Sequence, residues 1–141
     1  MAAFVIDASA TLPWCFSDEA TPATNGLLVR LRTGDEAVVP AHWITEVGNA
    51  LFMAVRRKRI SSQDAYQFLA DLESLPIRTD AAPKNLVRGA VFPMAEQYGL
   101  TVYDAAYLEL AIREGLPLAT LDDDLRKAAS IAGAFLVWPQ P

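Results

Sequence analysis

Short apolar runs alternate with longer amphipathic stretches along the whole chain. The runs do not alternate polar with apolar residues, which is typical of strands that a parallel sheet buries on both faces. Five strands are predicted on this basis, at Ala3 to Ile6, Ala37 to Val39, Pro76 to Thr79, Pro117 to Leu121 and Phe135 to Trp138.

Helical periodicity separates these strands. It is clearest from Ala41 to Arg59, where apolar side chains recur every three or four residues. Further helices are predicted from a Ser61 or Ser62 cap through Leu72, from Pro83 to Tyr98 with a break at Pro93, from Asp104 to Glu114 and from Leu125 to Ala132. Strands separated by helices predict an α/β fold, with helices on both faces of a parallel sheet of about five strands.

Composition narrows the class of protein further. The 141 residues, 52% of them hydrophobic, fit a single folded domain over residues 1–141 and exclude a disordered chain. No apolar stretch approaches the roughly 18 residues of a membrane span, and the start of the chain lacks the basic region of a signal peptide, so we expect a cytoplasmic protein. The net charge of −5 by itself argues against a nucleic-acid partner, which normally meets a basic surface.

Four carboxylates fall where chemistry gathers in open parallel sheets, which is at the carboxyl ends of the strands and in the loops that follow. Asp7 directly follows the first predicted strand, and Asp122 directly follows the fourth. Glu46 lies in the second turn of the helix entered from the second strand, and Asp104 opens a later helix. The sequence therefore predicts that these acids share one edge of the sheet.

Acids in apolar surroundings need a counter-charge, because an unpaired buried carboxylate is costly. No basic residue lies close to these four in the sequence, so a divalent cation is the economical explanation. Oxygen ligands favour Mg2+ or Mn2+, whereas a single histidine, His42, and a single cysteine, Cys15, argue against a zinc site. Each acid alone also has a structural interpretation, as a helix-start residue or as half of a distant ion pair.

Four segments around these acids resemble the PIN domain family, and within it the VapC-like toxins of toxin–antitoxin pairs. They are Phe4 to Ala10, Val39 to Leu51, Leu100 to Ala111 and Pro117 to Leu125. The resemblance covers nearly the whole chain and implies a three-layer α/β/α sandwich and a metal-dependent endoribonuclease. It also implies a homodimer and inhibition by a cognate VapB-like antitoxin.

The resemblance assigns roles to particular positions. It makes Asp7, Glu46, Asp104 and Asp122 the catalytic acids. Asp7, Asp104 and Asp122 would be metal ligands, and Glu46 would coordinate the metal or act as a base. Supporting positions are Ser9, Asn49, Thr120 and Asp124. The expected reaction is hydrolysis of an RNA phosphodiester by metal-activated water, with RNA bound weakly until metal is present.

One dense basic cluster follows the Glu46 helix, and it consists of Arg56, Arg57, Lys58 and Arg59. It could contact RNA phosphates, but cations at a helix C-terminus are also favoured by the helix dipole. We favour the structural interpretation, because charge runs are usually solvated. His42, near a helix start, is likewise expected to be structural rather than catalytic.

Three other classes of protein remain open. A haloacid-dehalogenase-type phosphatase would need a second aspartate two residues after Asp7, where this chain has Ser9. A receiver-like signalling domain would need a paired acid after the first strand and a late lysine, for which Lys127 is a poor match. A binding module with a purely structural metal is the third alternative.

Overall fold

A computed structural model describes residues 2–136 of the chain. The strands are β1 (Ala3–Ile6), β2 (Glu36–Pro40), β3 (Ile77–Asp80) and β4 (Leu118–Ala119). The helices are α1 (Ala8–Thr11), α2 (Pro22–Arg32), α3 (Trp43–Arg56), α4 (Ser62–Glu73), α5 (Phe92–Tyr98), α6 (Val102–Glu114) and α7 (Asp123–Ala132). The alternating order of strands and helices is the one that the apolar pattern predicts.

The four strands form one parallel sheet in the order β3-β2-β1-β4. Phe4, Val5 and Ile6 of β1 are fully buried, as are Val38 of β2 and Leu118 of β4, because helices cover both faces. The predicted three-layer α/β/α architecture is therefore confirmed, and burial on both faces explains why the strands show no polar alternation.

Within residues 2–136 the sheet has four strands, one fewer than the predicted number of about five. In the predicted fifth strand, Phe135 makes only an isolated parallel bridge to Leu118. Leu136 donates its backbone N–H to the Leu118 carbonyl at 2.9 Å, so the chain does run beside β4 there. The remainder of that prediction, Val137 and Trp138, lies outside the described residues.

Two helices lie where the apolar pattern assigned no element. α1 is a single turn directly after β1, and α2 fills the connection between α1 and β2. The start of α2 does carry a sequence signal, since Pro22 follows Thr21, whose hydroxyl accepts a hydrogen bond from the Thr24 backbone. Leu27 and Leu31 of α2 are buried in the core, so this helix contributes to one covering layer.

Other boundaries move by a few residues for local reasons. α6 begins before Asp104, because the Thr101 side chain caps the helix by accepting from the Asp104 backbone N–H. α7 begins at Asp123 and is capped by Asp122. The break expected at Pro93 is present: a π-helical turn, Val87–Val91, precedes α5, which has Pro93 in its first turn.

A chain of hydrogen bonds fixes α3 against the end of β1. The indole N–H of the buried Trp43, the first residue of α3, donates to the Thr11 hydroxyl at 3.1 Å. That hydroxyl in turn donates to the backbone carbonyl of Asp7 at 2.8 Å. The helix that carries Glu46 is thereby held at the same edge of the sheet as Asp7. Within residues 2–136, no helix has the length and apolar character to span a membrane.

Candidate functional site

The carboxyl ends of β1 and β4 place Asp7 and Asp122 on neighbouring strands. β1 and β4 are parallel, with Ile6 paired to Ala119, and the Asp7 N–H donates to the Ala119 carbonyl at 3.3 Å. Each strand therefore ends beside the other, and each is followed within three residues by one of the predicted acids. This is the edge at which ligands bind in open parallel sheets.

Asp7 is the most buried of the four acids, at 4% exposed. Its Oδ1 accepts from the Ser9 hydroxyl at 2.7 Å and from the Ala10 N–H at 3.0 Å, and its Oδ2 accepts from the Thr120 hydroxyl at 2.5 Å. Three donors from two segments thus hold one carboxylate in a single orientation. Part of the cost of burying it is offset by these charge-assisted bonds.

The two hydroxyl groups also tie the loop after β4 to Asp7. Ser9 Oγ accepts from the Leu121 N–H at 2.8 Å, and Thr120 Oγ1 accepts from the Asp122 N–H at 3.0 Å. Each hydroxyl therefore donates to Asp7 and accepts from the backbone beside Asp122. Ser9 and Thr120 therefore hold the carboxyl ends of β1 and β4 together.

Glu46 faces a different set of partners, which come from α6 and from the start of its own helix. Its Oε1 accepts from the Tyr107 hydroxyl at 2.5 Å and lies 3.4 Å from Nε2 of His42. The His42 ring packs edge-on against Tyr107, with ring centroids 5.1 Å apart, and Nε2 also lies 3.1 Å from the Tyr103 carbonyl oxygen. Glu46 remains partly open to solvent, with 34% of its side chain exposed.

Asp104 and Asp122 both lie at helix starts, but they take part in the caps in different ways. Asp104 lies in the first turn of α6, where only its backbone N–H is used in the cap. Asp122 caps α7 directly, because its Oδ2 accepts from the Leu125 N–H at 2.9 Å. The helix-start interpretations of these two acids are thus present in the molecule. They do not exclude a further ligand, since a carboxylate offers about four acceptor positions.

Electrostatics links the four acids into one field. Burial is the largest cause that raises the pKa of Asp7, to about 6, while hydrogen bonds from Thr120, Ser9 and Ala10 oppose the rise and the charge of Asp104 adds to it. The pKa of Asp104 is also raised, first by burial and then by the charges of Asp122 and Glu46. The pKa of Asp7 therefore responds to the charge of Asp104, and the pKa of Asp104 responds to the charges of Asp122 and Glu46, as expected for acids that converge.

The donor chemistry of this set suits a hard divalent cation, since every side chain offers carboxylate oxygen. Burial is the first cause of the raised pKa of Asp7 and of Asp104, and the neighbouring acids add to both rises, so a cation would offset a real cost there. Within residues 2–136, however, no three Asp, Glu, His or Cys side chains are drawn together as a preformed metal cluster. Asp7, Glu46 and Asp122 each accept a hydrogen bond from a different partner, which are Thr120, Tyr107 and the Leu125 N–H.

Two predicted supporting residues lie outside this network. Asn49 is exposed on α3, and among the described hydrogen bonds none joins it to Glu46. Asp124 is exposed in the first turn of α7, where the helix dipole stabilises a negative charge. Within residues 2–136, Ser9 and Thr120 donate hydrogen bonds to Asp7, whereas no hydrogen bond joins Asn49 or Asp124 to the four acids, and the roles predicted for these two stay predictions.

The basic cluster lies away from the acids along α3. Ten residues separate Glu46 from Arg56, which is about 15 Å of helix. Arg59 is occupied locally, since it donates to both oxygens of Asp18 at 2.8 Å, pairs with Glu19 at 2.9 Å and stacks over the Phe16 ring. All four basic residues of the run are exposed, as the structural interpretation expects, and Arg59 serves to anchor the segment after α1.

A cavity of about 370 Å3 lies beside His42 and Tyr103, on the side toward β3. Its polar wall is an ion-pair cluster in which Arg113 donates to Glu109 at 2.9 Å and to Asp80 at 2.8 Å. Glu109 is buried, at 6% exposed, so this cluster ties the end of β3 to α6 and satisfies a buried charge. It stabilises the fold beside the site.

Sequence reasoning missed Tyr107 and gave His42 no part near the acids. Tyr107 is three residues after Asp104, a spacing that places both on one face of a helix, so the signal was present. His42 carries the same kind of signal, because it lies four residues before Glu46 within the helix predicted from Ala41 to Arg59, a spacing that places both side chains on one helical face. The contact of Tyr107 with Glu46, in contrast, depends on how α6 packs against α3.

Comparisons with known proteins agree with this architecture. The family model of the PIN domain matches residues 4–131. Ribonuclease VapC12 of Mycobacterium tuberculosis is 34% identical over 124 residues, which cover 88% of this chain and 90% of that protein. The crystal structure of PAE2754 from Pyrobaculum aerophilum superposes with a TM-score of 0.71 at 25% identity, covering 90% of this chain and 84% of that one.

A third relative shares the fold at lower identity. It is a chain of VapBC2 from Rickettsia felis, solved bound to a DNA fragment from their promoter, with a TM-score of 0.63 and 15% identity. The match covers 99% of this chain and 100% of that one. With the family match over residues 4–131 and the 34% identity to a VapC protein, this chain belongs to the PIN domain family, among its VapC-like members.

Proposed function

We propose that the protein is an endoribonuclease that hydrolyses RNA phosphodiester bonds and requires Mg2+ or Mn2+. The observation that supports this most directly is the position of Asp7, Asp104, Asp122 and Glu46 in one electrostatic field at the carboxyl edge of the sheet. A polyanionic substrate can approach such a site only if cations offset these charges. The ribonuclease name of the VapC12 relative points to RNA as the polyanion.

Asp7, Asp104 and Asp122 are the residues that would hold the cation, and their oxygen donors match what Mg2+ and Mn2+ prefer. When bound, a divalent cation would activate water and stabilise the charge that develops on the phosphoryl group. Because the pKa of Asp7 is about 6 without metal, the charged form that binds a cation becomes dominant above that pH. Metal binding should therefore strengthen as pH rises through 6.

The side chains around the acids have roles of their own. Ser9 and Thr120 keep both oxygens of Asp7 in a fixed direction through bonds of 2.7 and 2.5 Å. Glu46 is 34% exposed, which leaves it accessible to a water molecule, and it either coordinates the cation or accepts the proton of the attacking water. The net charge of −5 then has a simple consequence: RNA should bind weakly in EDTA and more tightly with metal.

The test is cleavage of RNA by the purified protein in EDTA and after Mg2+ or Mn2+ is restored. We expect cleavage only with metal, and no hydrolysis of p-nitrophenyl phosphate or transfer from acetyl phosphate under the same conditions. Asp35→Asn is a matched control, since Asp35 is an aspartate at the opposite end of β2 that pairs with Arg30. Phosphatase or phosphotransfer activity without RNA cleavage would contradict the proposal.

The biological role that we propose is that of a toxin held inactive by a VapB-like antitoxin. The Rickettsia felis relative carries the paired name VapBC2, and its match covers 99% of this chain. We propose in addition that the protein is a homodimer in the cytoplasm. Induced expression should arrest growth, Asp104→Asn should relieve the arrest, and light scattering should give twice the chain mass. Normal growth with active, soluble protein would contradict the toxin role.

A further inference from the structure

Tyr107 is a buried side chain whose only polar atom meets a candidate catalytic acid. The residue is 1% exposed, and its hydroxyl donates to Oε1 of Glu46 at 2.5 Å. A buried hydroxyl needs a partner, but a backbone carbonyl would satisfy it equally well. Here the acceptor is the end of a long, partly exposed side chain that water could otherwise solvate. The bond therefore restrains Glu46 more than it stabilises Tyr107.

His42 restrains the same oxygen from a second direction. Its Nε2 lies 3.4 Å from Oε1 of Glu46, and it is itself fixed by the Tyr103 carbonyl oxygen at 3.1 Å. The imidazole ring packs edge-on against the Tyr107 ring, at an interplanar angle of 71°. Among the described contacts, both restraints act on Oε1, so they orient the carboxylate group without using Oε2.

The Tyr107 bond also connects two elements of the site. Glu46 is carried by α3, whereas Tyr107 and Asp104 are carried by α6 three residues apart, on one helical face. We propose that Tyr107 is a positioning residue, and that its hydroxyl fixes the Glu46 carboxylate relative to Asp104. The inference rests on the proposed function, because it assigns Tyr107 a role in the same reaction.

Tyr107→Phe tests this role directly, because it keeps the buried ring and removes only the hydroxyl. One hydrogen bond to a charged acceptor corresponds to a fall of roughly 10- to 100-fold in kcat for RNA cleavage, with KM little changed. The melting temperature should hardly move, since the freed carboxylate is already 34% exposed and can be solvated. Tyr98→Phe is the control: Tyr98 is a half-buried tyrosine packed against the core, and no hydrogen bond of its hydroxyl is found within residues 2–136.

Two further measurements separate positioning from a general structural effect. In single-turnover reactions, adding Tyr107→Phe to Glu46→Gln should change the rate little, because the hydroxyl acts through the carboxylate. Calorimetric titration of Mn2+ in the absence of RNA should show weaker binding by Tyr107→Phe and unchanged binding by Tyr98→Phe. Wild-type rate and wild-type Mn2+ affinity in Tyr107→Phe would overturn the inference, as would an equal loss in both backgrounds.

The outcome for Tyr107 can be distinguished from the outcome for the proposed function. If the wild-type protein cleaves no RNA with metal present, the proposed function fails. The Mn2+ titration still decides whether the Tyr107 hydroxyl helps to assemble the acids. If the wild type cleaves RNA and Glu46→Gln does not, a fully active Tyr107→Phe variant refutes only the positioning role.

Discussion

Replacing Asp7 with Asn should stabilise the metal-free protein at neutral pH. Burial raises the pKa of Asp7 from the ordinary value of 3.8 to about 6, so the folded state pays to keep this group ionised. This rise in pKa from 3.8 to about 6 corresponds to a loss of about 3 kcal/mol in the free energy of unfolding at pH 7. Because the pKa of Asp7 is higher in the folded state than in the unfolded state, the stability of the wild type relative to Asp7→Asn is greatest below pH 4 and is lost as pH rises through 6.

The amide recovers only part of this free energy. Its NH2 group would face the Thr120 hydroxyl, which at present donates to Asp7 Oδ2 and accepts from the Asp122 N–H. The hydroxyl would then have to accept twice, which leaves its own proton without a partner at a cost of about 1 kcal/mol. The net gain for Asp7→Asn is therefore about 2 kcal/mol at pH 7, and well under 1 kcal/mol at pH 5.

Urea unfolding in EDTA at pH 5 and pH 7 measures both values. The Asp7→Asn variant should also lose metal-dependent RNA cleavage, so that a gain in stability accompanies a loss of activity. Asp35→Asn is the control of opposite sign, because the hydrogen bond from Arg30 lowers the pKa of Asp35 and its removal should destabilise. An Asp7→Asn variant that is less stable than wild type at pH 7, or equally changed at both pH values, would refute the reasoning.

Three further perturbations have defined outcomes. Thr120→Val should lower the free energy of unfolding by roughly 2 kcal/mol and reduce cleavage, because it leaves Oδ2 of Asp7 and the Asp122 N–H without their hydrogen-bond partner; urea unfolding checks this. Arg113→Met should lower the free energy of unfolding by about 2 kcal/mol, which is less than for a fully buried ion pair because Arg113 is 36% exposed. Cleavage of RNA by the folded variant should be unchanged. Reversing the charges of residues 56–58 decides between the two interpretations of the basic run: phosphate contact predicts weaker RNA binding with a smaller salt dependence and unchanged Mn2+ affinity, whereas the structural interpretation predicts the same RNA affinity as in Arg59→Ala.

The layers of the fold could be predicted because burial on both faces of a parallel sheet leaves a continuous apolar signature in each strand. β1 shows this clearly, and its predicted bounds match the structure. α2 was missed although it begins with a capping box and a proline, because its hydrophobic face is weak against several polar residues. Of the predicted fifth strand, the described part forms only a bridge from Phe135 to Leu118, because an apolar run predicts a strand without fixing how far its ladder extends.

The acids of the candidate site could be located because their sequence positions coincide with strand ends and helix starts. Their partners were harder to predict, since hydrogen bonds such as Ser9 to Leu121 or Tyr107 to Glu46 join residues 112 and 61 positions apart. Sequence spacing does not encode such contacts. The supporting role of Asn49 stays a prediction: it lies on the same helix as Glu46, but contact between side chains depends on rotamers as well as on helical spacing.

The most direct test of the central claim is the chemistry of the RNA ends formed in H2 18O with Mg2+. Hydrolysis by activated water predicts linear monophosphate ends that carry one solvent oxygen, no 2′,3′-cyclic phosphate, and continued cleavage when the ribose at the scissile position lacks its 2′-hydroxyl. Product formation should stop in EDTA and in Asp7→Asn, Asp104→Asn and Asp122→Asn. Cyclic phosphate products, or cleavage that persists in EDTA or in these variants, would contradict a metal-dependent site built on the four acids.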